Sequence, residues 1–127
     1  MSFLLELPQL PRELNPNYRG HWTGRYKASV QAKHDAFYAA KEIQLQHFNY
    51  LQIRVHIYAP NNNVPDPDNA LAMAKPYIDG LVLAGVIDND TKDQVEYLPI
   101  QYHIAAGEKH RTVFEVNPKP VEIEDPT

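Results

Sequence analysis

The sequence predicts a single α+β domain in which a small mixed sheet carries two main helices. Three observations lead to this prediction. A chain of 127 residues has room for one hydrophobic core, short apolar runs alternate with two longer segments of helical spacing, and the elements follow the order strand, helix, strand, helix, strand, strand. The domain should span residues 1–117, and residues 118–127, which are rich in proline and acid, should form a mobile tail.

Two strands and one helix are predicted for the amino-terminal half. Residues 3–7, FLLEL, form an apolar run that stops before a proline, and residues 50–58 alternate apolar and polar side chains with the period of a half-buried strand. Residues 28–46 contain neither Gly nor Pro and place apolar side chains at helical spacing, which predicts a helix. His56 falls on the polar face of its strand, where a solvated histidine is more common than a metal ligand.

The second half should contain a helix and two more strands. Residues 61–69, NNNVPDPDN, are turn formers and predict a loop. The next stretch, residues 70–85, carries one apolar stripe and ends at Gly85, with a bend or restart expected at Pro76 because proline lacks the helical donor. Residues 94–105 and 112–116 then predict two strands joined as a hairpin around Gly107.

Composition excludes several classes of protein. The chain is 43% hydrophobic and 22% charged, as in ordinary soluble domains, and no run of about 18 apolar residues is present to span a membrane. The first residues lack the pattern of a secretory signal, so a cytoplasmic protein without a membrane partner is expected. Because the chain has no cysteine, disulfides, thiol nucleophiles and thiolate zinc sites are excluded, and any metal must be held by oxygen or imidazole.

The net charge of −4 is unevenly distributed, and the amino-terminal half is basic. Residues 13–27 mix cationic and aromatic side chains, a combination that can hold a phosphate backbone and stack on bases. The alternative is a basic surface loop that Trp22 anchors to the core, and the sequence favours neither interpretation. The candidate nucleic-acid contacts in this half are Arg19, Arg25, Lys27 and Lys33.

Two acidic turns flank the predicted second helix. Asp66-Pro67-Asp68-Asn69 precedes it, and Asp88-Asn89-Asp90 follows it. Pro67 has a fixed φ and biases the preceding residue toward an extended conformation, so the first two carboxylates are held in a defined relation. Such a grouping suits a hard divalent cation. For either turn taken alone, however, a structural role is the more typical one, with Asp68 or Asn69 capping the helix and the other acidic residues forming turns.

Other metal and nucleotide motifs do not fit. An EF-hand loop needs Gly at its sixth position, and the sixth residue is Leu71 counted from Asp66 and Asp93 counted from Asp88. The sequence also lacks a P-loop, a His-Glu-x-x-His helix and a Gly-x-Ser-x-Gly elbow. The two acidic turns therefore remain the candidate site.

Residues 66–90, DPDNALAMAKPYIDGLVLAGVIDND, resemble the RusA-like Holliday-junction resolvases. The resemblance lies in a D-x-D-N sequence, a helix with an internal Lys and an Asp-Gly-Leu stretch, then Ala-Gly and an acidic turn that ends in Asp. It implies a small homodimer that uses a divalent metal to nick two opposed strands of a four-way DNA junction in recombination and repair.

Carried over residue by residue, the resemblance makes Asp66, Asp68 and Asp90 the catalytic carboxylates and metal ligands. Lys75 takes the position of the functional lysine, and Asn69 becomes a supporting DNA contact. The implied cofactor is Mg²⁺, with Mn²⁺ as a substitute, and the implied partner is branched DNA. Two alternatives stay open: a non-catalytic metal- or DNA-binding module of the same fold, and a nuclease for other branched DNA such as flaps.

Overall fold

The computed structural model describes residues 2–118 and confirms the α+β class, with one mixed five-stranded sheet and two main helices. A single turn of 3-10 helix, Arg12–Leu14, follows the first strand. In chain order the main elements are β1 (Phe3–Pro8), α1 (Trp22–Glu42), β2 (Leu51–Ala59), α2 (Pro67–Leu83), β3 (Val95–Tyr97), β4 (Gln101–Ile104) and β5 (Arg111–Asn117). The predicted tail lies, apart from its first residue, outside the described residues.

The sheet topology places both helices in crossover connections. β5 lies between β1 and β2 and is antiparallel to both, while β3 and β4 pair in parallel along the other edge of β2. Since β1 and β2 are each antiparallel to β5, they run parallel to one another, and α1 connects them as α2 connects β2 to β3. The amino-terminal ends of both helices therefore lie at the end of the domain where β1 and β2 finish.

The predicted hairpin of the last two strands is wrong. His56 of β2 is paired with Gln101 of β4 on one side and with Val113 of β5 on the other, so β2 separates the two strands. The stretch predicted as one strand over residues 94–105 is also divided, because Pro99, which lies between β3 and β4 in the sequence, has no amide hydrogen to donate to a ladder with β2. The three strands that follow one another in the sequence, β3, β4 and β5, therefore all pair with β2 and not with each other.

α1 begins at Trp22 rather than at residue 28. The side chain of His21 caps it, because its Nδ1 atom accepts a hydrogen bond from the amide of Thr23 at 3.2 Å. Sequence reasoning missed this start, since His is not among the preferred N-cap residues and Gly24 is a poor helix former. As a consequence Arg25 and Lys27 lie on the helix and not in a loop.

α2 begins at Pro67, so the predicted loop over residues 61–69 is too long. The helix continues through Pro76 without the predicted restart, because the carbonyl left without a helical donor belongs to the exposed Ala72, where water can reach it. The predicted end at Gly85 is confirmed: this residue has φ 79° and begins the left-handed turn that stops the helix.

One hydrophobic core joins the sheet to the helices. Leu5, Phe114 and Val55 are in register across β1, β5 and β2, and the ring of Tyr77 from α2 meets the Phe114 ring edge-on at 5.7 Å between centroids. The two helices approach closely at Gly80, where an added Cβ would lie 2.2 Å from the carbonyl oxygen of Lys33. No helix within residues 2–118 is long and apolar enough to cross a membrane.

Candidate functional site

Asp66 and Asp68 lie at the exposed amino-terminal end of α2. Oδ1 of Asp66 accepts a hydrogen bond from the amide of Asn69 at 3.0 Å, so Asp66, rather than Asp68 or Asn69, caps the helix. Pro67 occupies the first turn, where its missing donor costs nothing. The start of α2 therefore fixes the positions of both carboxylates. The second carboxylate oxygen of Asp66 takes no part in the capping hydrogen bond.

A tyrosine on β4 fixes the chain just before these carboxylates. The hydroxyl of Tyr102 donates to the carbonyl of Pro65 at 2.8 Å. Burial, together with the negative charge of Asp66, raises the pKa of the Tyr102 hydroxyl. Tyr102 therefore remains a neutral donor at ordinary pH and ties the start of α2 to the sheet, a contact that no local sequence signal indicates.

Cationic side chains lie at the same end of the domain. Nη2 of Arg25 donates to the carbonyl of Asn15 at 3.3 Å, and the guanidinium carbon lies 5.7 Å from the ring centroid of Tyr18. Asn15 and Arg12 line a cleft that also includes Pro65, the residue before Asp66. The predicted contact Arg25 is thus brought to the end of the domain that carries the first two aspartates.

The start of α1 carries exposed aromatic rings. The side chains of Trp22 and Tyr26 are 68% and 63% exposed, and their ring centroids lie 6.5 Å apart. The interpretation of Trp22 as a core anchor is therefore wrong. Arg19, in the loop before the helix, and Lys27, on the helix, are also exposed, so this surface combines cations with aromatic rings.

Asp90 contacts Lys75 through their side chains. The loop after α2 turns back along the helix, and its turn is held by Gln94, whose Oε1 accepts hydrogen bonds from the amides of Asp88 at 3.2 Å and Asn89 at 3.1 Å. Asp90 is only 26% exposed, against 51% for Lys75. Gln94 was not among the predicted residues, because its partners are backbone amides that become neighbours only when the loop closes.

The predicted site residues fall into two groups. Lys33 and Asp90 line one shallow groove together with Asp79, and Lys75 joins this group through its contact with Asp90. Asp66 and Asp68 lie at the start of α2 instead, and Lys75 is seven residues beyond Asp68, about 10 Å along the helix axis. The structure thus brings Asp90 back to the middle of α2 and not to its first turn.

The donor chemistry at these positions suits Mg²⁺, but a complete ligand set is not assembled. Within residues 2–118, no three His, Cys, Asp or Glu side chains are grouped closely enough to hold a metal ion. Among the same residues neither Asp66 nor Asp68 forms an ion pair, whereas Lys75 compensates the charge of Asp90. The carboxylates available to a cation are therefore the first two.

A second polar cluster was not predicted. It lies on the face of the sheet opposite to the one that packs against the helices. Nδ1 of His56 lies 2.8 Å from Nε2 of His103, and Nε2 of His56 lies 2.8 Å from Oε1 of Glu115. The prediction that His56 is solvated is wrong, since its side chain is 16% exposed. The alternation in β2 indicated the face of His56 correctly, but only the pairing of β4 with β2 brings His103 beside it.

Hydrogen bonding and burial shift the proton affinities in this cluster. The hydrogen bond from His56 lowers the pKa of the Glu115 carboxyl. Burial, with the nearby His56 and Arg111, lowers the pKa of the His103 imidazole. The cluster is therefore most stable with His103 neutral and Glu115 ionised.

Comparison with known proteins adds one relative. No protein family matches the sequence. Over 90 residues the chain is 39% identical to a Xylella fastidiosa (strain Temecula1) protein that is described as an uncharacterized protein. The matched stretch is 67% of this chain and spans 59% of the length of the relative. This similarity shows a related protein and assigns no activity.

Proposed function

We propose that the chain is a Mg²⁺-dependent endonuclease that resolves four-way DNA junctions by paired symmetric nicks, as part of DNA recombination and repair. The observation that carries the proposal is the position of the two exposed carboxylates of Asp66 and Asp68 at the end of the domain that also presents Arg12 and Arg25. A nuclease needs carboxylates to hold a cation and cationic side chains to hold the phosphate beside it. The resemblance of residues 66–90 to the RusA-like resolvases supports the same function.

The carboxylates of Asp66 and Asp68 are proposed to hold Mg²⁺ or Mn²⁺, and Asp90, which lies beside Lys75 in the middle of α2, is proposed as the third ligand on the resemblance alone. When bound, such an ion polarises the phosphoryl oxygen and lowers the pKa of a water ligand. Mg²⁺ commonly takes only one or two protein carboxylates and completes its shell with water and phosphate oxygens, so Asp66 and Asp68 can begin binding without a preassembled cage. Lys75 holds Asp90 beside α2, and its ammonium would offset negative charge on the phosphoryl group.

DNA binding is assigned to cationic and amide side chains near these carboxylates. Arg19, Arg25 and Lys27 lie at the start of α1, Lys33 lines the groove beside Asp90, and Asn69 belongs to the first turn of α2. We assign the protein to the cytoplasm, where its DNA substrate would be found.

A twofold homodimer would present two equivalent sites to a junction that itself has approximate twofold symmetry. Light scattering should therefore give twice the mass of a single chain. A single-chain mass in the presence of junction DNA would contradict the dimer.

The proposal is tested by incubating the full chain with a four-way junction, a linear duplex of the same sequence and a flap, with and without Mg²⁺. The junction should be nicked symmetrically and much faster than the duplex, and only with metal. Asp68→Asn should abolish cleavage, whereas Asp93→Asn removes the same charge from an exposed loop position and should not. Equal cleavage of the three DNAs would exclude a junction resolvase, and cleavage of none with either Mg²⁺ or Mn²⁺ would exclude a nuclease.

One observation favours a second candidate, a non-catalytic DNA-binding module. Lys75 engages Asp90, and the described part of the chain has no group of three metal-ligating side chains. Such a module would bind the junction and leave it intact in Mg²⁺ and in Mn²⁺, and Asp68→Asn would not weaken binding. The cleavage assay, combined with a gel-shift measurement of binding, separates the two candidates.

A further inference from the structure

A cleft of about 350 Å³ opens beside the start of α2. Its wall includes Pro65, and it lies where β1 and β2 end and β5 begins. Ligands of α/β folds commonly bind outside the carboxyl ends of parallel strands. The volume falls within the range of about 300–1,000 Å³ that is typical of small-molecule sites.

The floor of the cleft is apolar, and its rim carries amides. Leu10, Ile57 and Met73 form part of the floor and are nearly fully buried, at 5%, 6% and 4% exposure. Gln9, Asn15 and Asn63 also line the cleft. An apolar surface bordered by amide donors and acceptors suits a flat heteroaromatic ring, because Asn and Gln recognise the hydrogen-bonding edges of nucleobases.

The charges of the cleft favour an anion. None of its lining residues is acidic, although the chain as a whole has a net charge of −4. Arg12 and His110 are exposed and form no ion pair within residues 2–118. Arg111 is already engaged, since it contacts Glu6 at 3.0 Å and its guanidinium carbon lies 3.8 Å from the ring centroid of Tyr58. Arg12 is therefore the cation available to a ligand.

The wall of the cleft also contains an unused polar group. Thr112 lines the cleft, and its hydroxyl oxygen is buried without a hydrogen-bond partner among the described residues. A buried hydroxyl without a partner is costly, and such groups often mark a place where a ligand or water completes the structure. This observation is independent of the charge and shape of the cleft.

We infer that this cleft binds one nucleotide, with its base against the apolar floor and its phosphate at Arg12 and His110. The inference rests on the proposed function for the source of the nucleotide: in a DNA substrate it would be a residue unstacked from the strand next to the phosphate at Asp66 and Asp68. Unstacking a base costs free energy and is least costly at a branch point or in a single strand. A pocket that accepts the unstacked base would therefore favour branched DNA over a continuous duplex.

Methyl NMR tests the inference directly, because the chain contains only two methionines, Met1 and Met73. Protein labelled with ¹³C-methyl methionine should show one signal from the floor of the cleft, assigned with Met73→Leu. Deoxyadenosine monophosphate should shift that signal saturably, and inorganic phosphate should shift it much less. A signal that does not move with the mononucleotide, or that moves equally with phosphate alone, would overturn the inference.

Variants locate the binding further. Arg12→Gln should weaken mononucleotide binding at least tenfold, whereas Lys92→Gln, an equal charge change at an exposed position outside the cleft, should leave it unchanged. Val64→Trp should fill the cleft and abolish the shift, with circular dichroism showing whether the fold is retained. Equal affinities of the Arg12→Gln and Lys92→Gln variants would overturn the assignment of the phosphate position.

A measurement with junction DNA tests this inference separately from the proposed nuclease activity. Junction DNA with 2-aminopurine at the branch point should gain fluorescence on binding to uncleaving Asp68→Asn protein, and Val64→Trp introduced into that protein should remove the gain. Mononucleotide binding without cleavage of any DNA would support the nucleotide site and refute the nuclease. Cleavage of junction DNA without any change in the Met73 signal on adding mononucleotide or junction would support the nuclease and refute the nucleotide site.

Discussion

Lys75 and Asp90 contact each other through their side chains although they are fifteen residues apart in the chain. Both are partly exposed, and a pair of this kind contributes only about 0–1 kcal/mol to stability. The contact is informative about the position of the loop and not about stability. It shows that the loop after α2 returns to the exposed side of the helix and brings two residues of the proposed nuclease together.

The first prediction concerns Asp90. Asp90→Asn keeps the shape of the side chain and removes one charge, so junction cleavage should fall by orders of magnitude. Junction binding should be retained or strengthened, because the ammonium of Lys75 is no longer compensated by a carboxylate. Single-turnover cleavage rates and gel-shift affinities measure the two effects, with Asp93→Asn as the matched control in the same loop. Cleavage by the Asp90 variant at the parental rate would make Asp90 a structural residue only.

The second prediction concerns the close approach of the helices at Gly80. Replacing Gly by Ala within a helix normally stabilises it by up to about 1 kcal/mol. Here the added Cβ would lie 2.2 Å from the carbonyl oxygen of Lys33, so Gly80→Ala should instead destabilise the protein by about 1–3 kcal/mol. Urea denaturation measures the change, and Ala72→Gly at an exposed position of α2 reports helix propensity alone. A Gly80→Ala variant more stable than the parent would contradict this packing.

The third prediction concerns acid stability. The pKa values of His103 and Glu115 are both lowered in the folded protein. The unfolded chain therefore binds protons more readily, and the stabilisation is complete above the ordinary pKa values of 6.5 for His103 and 4.5 for Glu115. For each group it is lost as the pH falls below that ordinary value and through the lowered folded-state pKa.

The surroundings of this cluster define the controls for the pH measurement. Arg54 lies 3.7 Å from Glu115, and Arg111 and Glu108 also act on His103. His103→Gln should make the free energy of unfolding less dependent on pH between about 7 and 5, in the region of the ordinary histidine pKa. Identical pH profiles for the parent and the His103 variant would exclude His103 as a source of acid sensitivity.

The fourth prediction concerns salt. Phosphate contacts release counterions, so junction affinity should fall steeply with salt concentration despite the negative net charge of the protein. Arg25→Gln should reduce the slope of log K against log salt by about 1, as expected for the loss of one phosphate contact. Lys92→Gln should leave the slope unchanged. A flat salt response of the parent would argue against the start of α1 as a DNA surface.

Sequence patterns were sufficient for features that depend on neighbouring residues. The alternation in residues 50–58 predicted β2 to within one residue, the apolar run at residues 3–7 predicted β1, and Gly85 marked the end of α2. Helix starts were less accurate. The cap at His21 has little sequence signal, and the D-P-D-N turn contains several residues that could each have been the cap.

By itself, the sequence determined the α+β class, the central strands and the acidic block at residues 66–90, because hydrophobic period and turn chemistry are local properties. Only the tertiary structure decided that β2 separates β4 from β5, that Asp90 reaches Lys75 and not the first turn of α2, and that a cleft with an apolar floor opens beside Pro65. These features depend on which distant segments share a strand edge or a helix face. Which segments pair depends on burial and hydrogen bonding over the whole domain, so it cannot be predicted from a short stretch of sequence.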